Sequence, residues 1–117
     1  MTTGRRILVI EDEPLIAMML EDFLDMLGHQ VAGSADGVDD ALALIAAGGI
    51  DAAILDVNLR GGEKSWPIAD TLARDDVPFI LATGGTGDSI VEHYRDRPTL
   101  AKPFTIDGVK QALAALD

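Results

Sequence analysis

Short apolar segments alternate with longer amphipathic segments along the chain. Residues 7–10 contain only Ile, Leu and Val, and the segment after them has apolar residues three and four positions apart up to Gly28. The first pattern is typical of a buried strand and the second of a helix packed on one side, with Pro14 suited to its first turn. Further strands are predicted at 30–34, 52–57, 78–83 and 99–102, and further helices at 38–47, 63–74 and from Thr105 onward.

This alternation predicts an α/β fold. We expect a doubly wound sheet of five parallel strands in a (βα)5 arrangement, covered by helices on both faces. The 117 residues fit one domain, 1–117, and no repeat, linker or low-complexity segment divides them.

The charge of the chain restricts its partners. Asp and Glu outnumber Lys and Arg by 20 to 9, which gives a net charge of -11. A surface this acidic repels phosphate backbones and anionic lipids, so neither nucleic acid nor a membrane is expected as a partner.

The absence of cysteine excludes a disulfide framework and a thiolate metal site. The apolar run at 7–10 is too short for a signal peptide or a membrane span, so a cytoplasmic protein is expected.

Polar residues stand where the predicted strands end. In parallel α/β sheets, ligands bind outside the carboxyl ends of the strands, at the point where the strand order reverses. We therefore expect the polar residues at these ends to share one edge of the sheet. They are Glu11, Asp12 and Glu13 after the first strand, Asp56 in the third, Thr83 in the fourth and Lys102 in the fifth.

The carboxylates at this edge favour a bound cation. Carboxylates crowded together repel each other unless a cation neutralises them, and oxygen ligands suit a hard ion, so Mg²⁺ is expected, with Mn²⁺ as a substitute. Lys102 supplies a point charge for an anion, and Thr83 supplies a hydroxyl donor. These groups would stabilise a phosphoryl group that moves in line onto a carboxylate oxygen. Asp56 is the best nucleophile because it ends the central apolar strand.

Four segments resemble parts of the receiver domain of two-component response regulators, and the resemblance covers essentially the whole chain. The resemblance implies a flavodoxin-like receiver topology and a signalling domain that is not an enzyme beyond its own phosphorylation and dephosphorylation. It also implies a sensor histidine kinase or a histidine phosphotransferase as the phosphoryl donor. The segments are ILVIEDEP at 7–14, AILDVNL at 53–59, LATGG at 81–85 and LAKPF at 100–104.

The same resemblance implies a role for each site residue. Asp56 corresponds to the phosphoacceptor, Thr83 to the switch hydroxyl, and Lys102 to the lysine that contacts the phosphoryl group and the carboxylate. The bond between Lys102 and Pro103 is expected to be cis, as in the family. The implied metal ligands are Asp12, Asp56, the backbone carbonyl of Asn58 and, through water, Glu11.

Residues 78–85, PFILATGG, resemble a subgroup called FATGUY receivers. Members of that subgroup are often free-standing and are commonly paired with HWE-type histidine kinases in alphaproteobacteria. Leu81 departs from the Phe expected at its position. A stand-alone response regulator of this kind would signal to an unidentified downstream protein or act as a phosphate sink or shuttle, as a monomer or weak dimer.

One departure from the family pattern concerns the switch. Most receivers carry an aromatic residue three positions before the conserved lysine, and here that position is Thr99. The glycine-rich residues 84–87 and the polar residues 88–97 offer few apolar anchors. We therefore expect the fourth helix to be short or mobile before phosphorylation and to become ordered afterwards.

Three other functions are compatible with parts of the pattern. A haloacid-dehalogenase-like phosphatase would carry Asp-x-Asp after its first strand, whereas this chain has Asp56 and Asn58 after the third. A flavin-binding module would use a phosphate-cradling loop like residues 83–87, but after the first strand and with aromatic residues around the ring. A degenerate receiver that serves as a docking scaffold would not need the intact set of Asp12, Asp56, Thr83 and Lys102.

Overall fold

The computed structural model describes residues 4–59, 63–83 and 90–116. Its strands are β1 (Arg6–Ile10), β2 (Gln30–Ala35), β3 (Ala52–Asp56), β4 (Phe79–Thr83) and β5 (Thr99–Ala101). Its helices are α1 (Pro14–Met26), α2 (Val38–Ala47), α3 (Trp66–Arg74) and α4 (Ile106–Ala114), with a 3₁₀ turn at Glu92–Tyr94.

The five strands form one parallel sheet in the order β2-β1-β3-β4-β5. From β1 the chain passes to β2 on one side and then returns to β3 on the other, so the strand order reverses between β1 and β3. This confirms the predicted doubly wound α/β fold, and it places the reversal next to the two strands that end in Glu11 and Asp56.

Alternate residues of each strand face two separate apolar layers, because successive side chains of a strand point to opposite faces. On one face α2 and α3 cover Leu8, Ile10, Ala53, Leu55, Phe79 and Leu81. On the other face α1 and α4 cover Ile7, Val9, Ala52, Ile54, Ile80 and Ala82. All five residues of β3 are buried, which explains why this strand reads as a continuous apolar run up to Asp56.

Helix α3 begins later than the sequence predicted. Its first residue is Trp66 rather than residue 63, and Pro67 occupies its first turn. Glu63 and Lys64 instead pair with the chain just after β3. The predicted start was wrong because proline suits only the first turn of a helix and Ser65 is a favoured residue just before it.

Between β4 and β5, the described residues contain one 3₁₀ turn and no α-helix. Residues 84–89 lie outside the described residues, so the expected ordering of a fourth helix after phosphorylation stays a prediction. Thr99 lies exposed on β5, whereas Tyr94 of the 3₁₀ turn is buried. The Lys102–Pro103 peptide bond is cis, as expected.

The two edges of the sheet are short or irregular. At one edge β5 contains three residues. At the other, the pairing between β1 and β2 shifts register between Ile7 and Leu8. Among the described helices, none combines the length and the apolar character that crossing a bilayer requires.

Helix α1 offers a matched test of the core. Leu24 is fully buried against the sheet, whereas Leu15 on the same helix is 78% exposed. We expect Leu24→Ala to lower the free energy of unfolding by about 2–5 kcal/mol, because it removes buried apolar surface and leaves a cavity. Leu15→Ala should change it by less than about 0.5 kcal/mol. Urea unfolding followed by circular dichroism measures both, and equal effects would contradict the described packing of α1.

Candidate functional site

The register of the sheet brings the predicted site residues to one edge. Ile10 pairs with Leu55, so Glu11 and Asp56 follow at the same level of neighbouring strands. Asp56 itself pairs with Ala82, directly before Thr83. Thr83 pairs with the last residue of β5, and its carbonyl accepts the N–H of Lys102 at 3.0 Å. The side chains at this edge therefore come from four sequence segments that the sheet holds in register.

Three carboxylates meet at this edge. Glu11, Asp12 and Asp56 each offer an oxygen, and these oxygens lie within 4.8 Å of one another. Glu11 and Asp56 are buried, while Asp12 is half-buried. The arrangement brings three of the four predicted carboxylates together at the predicted place, and Glu13 is not among them.

The Lys102 ammonium bridges two of the carboxylates. Its Nζ lies 2.6 Å from Oδ2 of Asp56 and 3.0 Å from Oε1 of Glu11. The Lys102 side chain is 22% exposed, so water reaches the ammonium only in part. Charge-assisted contacts this short are strong when they are shielded from water. The lysine therefore anchors Asp56 from the side of β5.

Burial makes Glu11 harder to ionise. Removal from water raises its pKa to about 7, although the Glu13 N–H at 3.1 Å from Oε2 and the nearby Lys102 favour the charged form. Burial alone would lower the pKa of Lys102, but its contacts with the Asp56 and Glu11 carboxylates outweigh it and raise that pKa. Among the described residues, Oε1 of Glu11 accepts no hydrogen bond of normal geometry, and the ammonium is its ionic partner. The site thus has more buried carboxylate charge than its one lysine compensates well.

The residues that follow β3 form a pattern that the sequence analysis missed. The backbone N–H of Asn58 donates to Oδ1 of Asp56 at 3.2 Å. Asn58 also forms an isolated antiparallel bridge with Lys64, whose ammonium donates to Oδ1 of Asn58. Ser65 is fully buried, and its hydroxyl donates to the carbonyl of Val57 at 3.3 Å. The serine before Trp66 and Pro67 was a helix-start signal that could have revealed where this loop ends.

Tyr94 supplies an aromatic side chain near this loop, although position 99 lacks one. Its hydroxyl donates to Asp70 of α3, and its ring stacks on Trp66 with centroids 6.0 Å apart. The rings of Tyr94 and Phe79 also make an edge-to-face contact, with centroids 5.4 Å apart. Tyr94 therefore fastens the 3₁₀ turn to α3, the helix that follows the loop after Asp56.

Comparison with known proteins gives concordant results. A family model described as the response regulator receiver domain matches residues 7–114. The transcriptional regulatory protein PdtaR of Mycobacterium tuberculosis is 29% identical over 112 residues, which are 93% of this chain and 55% of PdtaR. The chain thus spans about half the length of this curated relative.

Two solved structures resemble the whole chain. The solution structure of SdrG from Sphingomonas melonis Fr1 is 62% identical, with a TM-score of 0.90, and the match covers 99% of this chain and 98% of SdrG. The BeF3-activated conformation of SdrG, from Pseudomonas melonis Fr1, is also 62% identical over the same shares of the two chains, with a TM-score of 0.84.

The contact between Tyr94 and Asp70 predicts an unusual titration. Burial, followed by the Asp70 hydrogen bond and charge, raises the pKa of Tyr94 to about 12. The folded protein therefore keeps the phenol proton where the unfolded chain loses it. The resulting stability is complete below pH 10.0 and is lost as the pH rises through about 12.

Because Tyr94 is the only tyrosine, ultraviolet absorbance of the phenolate reports this residue alone. We expect Asp70→Asn to shift its titration midpoint down, towards the ordinary value of 10.0. Asp22→Asn on α1 is a charge-matched control that should leave the midpoint in place. A midpoint near 10 in the unsubstituted protein would contradict the described contact.

Proposed function

The chain belongs to the response regulator receiver domain family, and we propose that it accepts a phosphoryl group on Asp56. The donor would be the phosphohistidine of a sensor histidine kinase or of a histidine phosphotransferase. The observation that supports this most directly is the position of Lys102, whose Nζ lies 2.6 Å from Oδ2 of a buried aspartate at the end of the central strand. An ammonium placed there would attract the phosphoryl group to the carboxylate.

The acidic cluster fits a divalent cation, and we propose Mg²⁺, with Mn²⁺ as a substitute. The donors are oxygens, and the buried Oε1 of Glu11 has an ion pair with Lys102 but accepts no hydrogen bond of normal geometry from the described residues. Hard cations prefer such ligands, and Mg²⁺ commonly uses one or two carboxylates together with phosphate oxygens and water. Asp12, Asp56 and the carbonyl of Asn58 would hold the ion, and Glu11 would act through water. The bound ion would neutralise the negative charge that develops as the phosphoryl group moves.

The transfer itself requires little more than positioning. A carboxylate oxygen of Asp56 forms a bond to phosphorus while the P–N bond of the phosphohistidine breaks and its electron pair returns to the imidazole. The N–H of Asn58 donates to Oδ1 of Asp56, and the ammonium of Lys102 donates to Oδ2, so both oxygens of the carboxylate are held. These contacts orient the nucleophile before the donor arrives.

Thr83 would couple phosphorylation of Asp56 to a change in the residues that follow β4. It ends β4 beside Asp56 and is half-buried, and residues 84–89 follow it directly. A hydroxyl that turns towards a phosphoryl oxygen would pull on the chain that follows it. We propose that this segment, rather than an aromatic residue at position 99, carries the signal.

We propose a wider role for the chain from the subgroup that it resembles and from its net charge. Residues 1–117 would form a single receiver domain of the FATGUY subgroup that signals by protein contacts or serves as a phosphate sink or shuttle, as a monomer or weak dimer in the cytoplasm. The net charge of -11 supports protein rather than nucleic acid or membrane partners. An HWE-type kinase is the donor that the subgroup resemblance favours. The first helix exposes Leu15 and Met18, which would suit contact with such a donor.

The phosphoacceptor role is tested with beryllofluoride, which mimics a phosphoryl group on a carboxylate. With Mg²⁺ and beryllofluoride, we expect amide NMR shifts at residues 10–13, 56–60, 83–88 and 102 in the unsubstituted protein. Asp56→Asn should abolish them, because its amide cannot bind beryllium as a carboxylate does. A folded protein whose spectrum does not change would overturn the proposal and favour a docking scaffold. Turnover of a phosphate monoester would favour a phosphatase instead.

A second variant separates binding from signalling. Thr83→Ala should still show the beryllofluoride shifts at residues 56–60, because Asp56, Lys102 and the acidic cluster remain. The shifts that spread through residues 86–97 should shrink, since the hydroxyl that couples the two regions is gone. If those shifts persist in full, Thr83 is not the switch. Thr99→Ala, which removes an exposed hydroxyl from β5, is the matched control.

A further inference from the structure

The chain after Asp56 is held by paired segments on both sides of Asn58. The N–H of Leu59 donates to the carbonyl of Glu63 at 2.7 Å, and the N–H of Ser65 donates to the carbonyl of Val57 at 3.2 Å. Asn58 lies between these two bonds, opposite Lys64. Its backbone is therefore restrained by a bond on each side, and we refer to residues 57–59 and 63–65 as the paired loop.

Lys64 completes this restraint through the side chain of Asn58. Its ammonium donates to Oδ1 of Asn58, while the N–H of Asn58 donates to Oδ1 of Asp56. Asparagine side chains readily bond to nearby backbone groups and so favour alternative turns. Because the side-chain oxygen of Asn58 is bonded to Lys64, it does not compete for nearby backbone N–H groups. The backbone carbonyl of Asn58 is then restrained together with its backbone N–H.

The outer side of the paired loop is fastened to helix α2. Oε1 of Glu63 accepts the N–H of Val38, the first residue of that helix, at 3.1 Å. The residue before the helix is Gly37, which has no side chain to cap it. The Glu63 carboxylate takes that place, where the helix N-terminus favours negative charge. Glu63 thus anchors residues 63–65 of the paired loop, from which Lys64 reaches Asn58.

We propose that Lys64 is a positioning residue for Asn58, whose backbone carbonyl would bind the divalent ion, and that Lys64 fixes this part of the backbone before the ion binds. This inference rests on the proposed function, since it assumes a divalent ion at that cluster. Groups that orient a metal ligand often matter for affinity nearly as much as the ligand itself. The exposed Lys64 would then influence metal binding at the acidic cluster through one residue, Asn58.

The test compares Mg²⁺ affinities in three variants. The fluorescence of Trp66, the only tryptophan and the second residue after Lys64, follows the titration, and amide shifts at residues 56–59 provide a second readout. Lys64→Met should weaken Mg²⁺ binding by about tenfold, the lower end of such effects because Lys64 is exposed. Lys64→Arg keeps a donor of the same charge and should restore most of the affinity. Lys110→Met, an exposed lysine on α4, should have no effect.

The outcomes separate this inference from the proposed function. Normal Mg²⁺ affinity in folded Lys64→Met overturns the positioning role and leaves the phosphoacceptor site intact. The same loss in the methionine and arginine variants, at unchanged melting temperature, overturns it as well, because a conserved donor should rescue binding. No Mg²⁺ response in the unsubstituted protein overturns the proposed function itself, and the positioning role with it. If Lys64→Met does not fold, Lys64→Gln, which keeps a shorter donor, is measured in its place.

Discussion

The repulsion among three carboxylates is the constraint on which the rest of the site depends. Glu11, Asp12 and Asp56 present oxygens within 4.8 Å of one another, and two of these side chains are buried. Such a group is stable only if cations and hydrogen-bond donors surround it. Lys102, the N–H of Glu13 and the N–H of Asn58 meet part of that need. The two N–H groups act on the carboxylates of their own segments, whereas Lys102 contacts both Glu11 and Asp56 and so ties the ends of β1 and β3 to the residue after β5.

The sequence predicted the fold and the edge of the sheet with few errors, because both depend on strong periodic signals. Strand β3 is buried on both faces and reads as an uninterrupted apolar run that ends in an acid. Parallel topology then places every strand end at the same edge. Asp56 and Lys102 could therefore be predicted to meet although 46 residues separate them, and their contact at 2.6 Å confirms that part of the prediction. Their chemical roles remain proposals.

The features that the sequence did not reveal depend on contacts between irregular segments. No periodicity indicates that Lys64 pairs with Asn58, or that Glu63 caps a helix that begins 25 residues earlier. Tyr94 lies in a polar stretch, yet it is buried at 5% exposure against Trp66 and Phe79. Its burial follows from the ring stacking and the Asp70 hydrogen bond, which only the folded chain brings together. The start of α3 was the exception, since the serine and proline around Trp66 did indicate it.

The edges of the sheet have a consequence for solubility. An exposed edge strand offers unpaired N–H and C=O groups to which another chain can add a strand, and this is a common route to aggregation. Here β5 is only three residues long, and the register shift beside β2 disturbs the regular spacing of the opposite edge. Neither edge presents a long, flat template to a second copy. The centre of the sheet can thus be almost wholly apolar while its edges offer little regular backbone to an added strand.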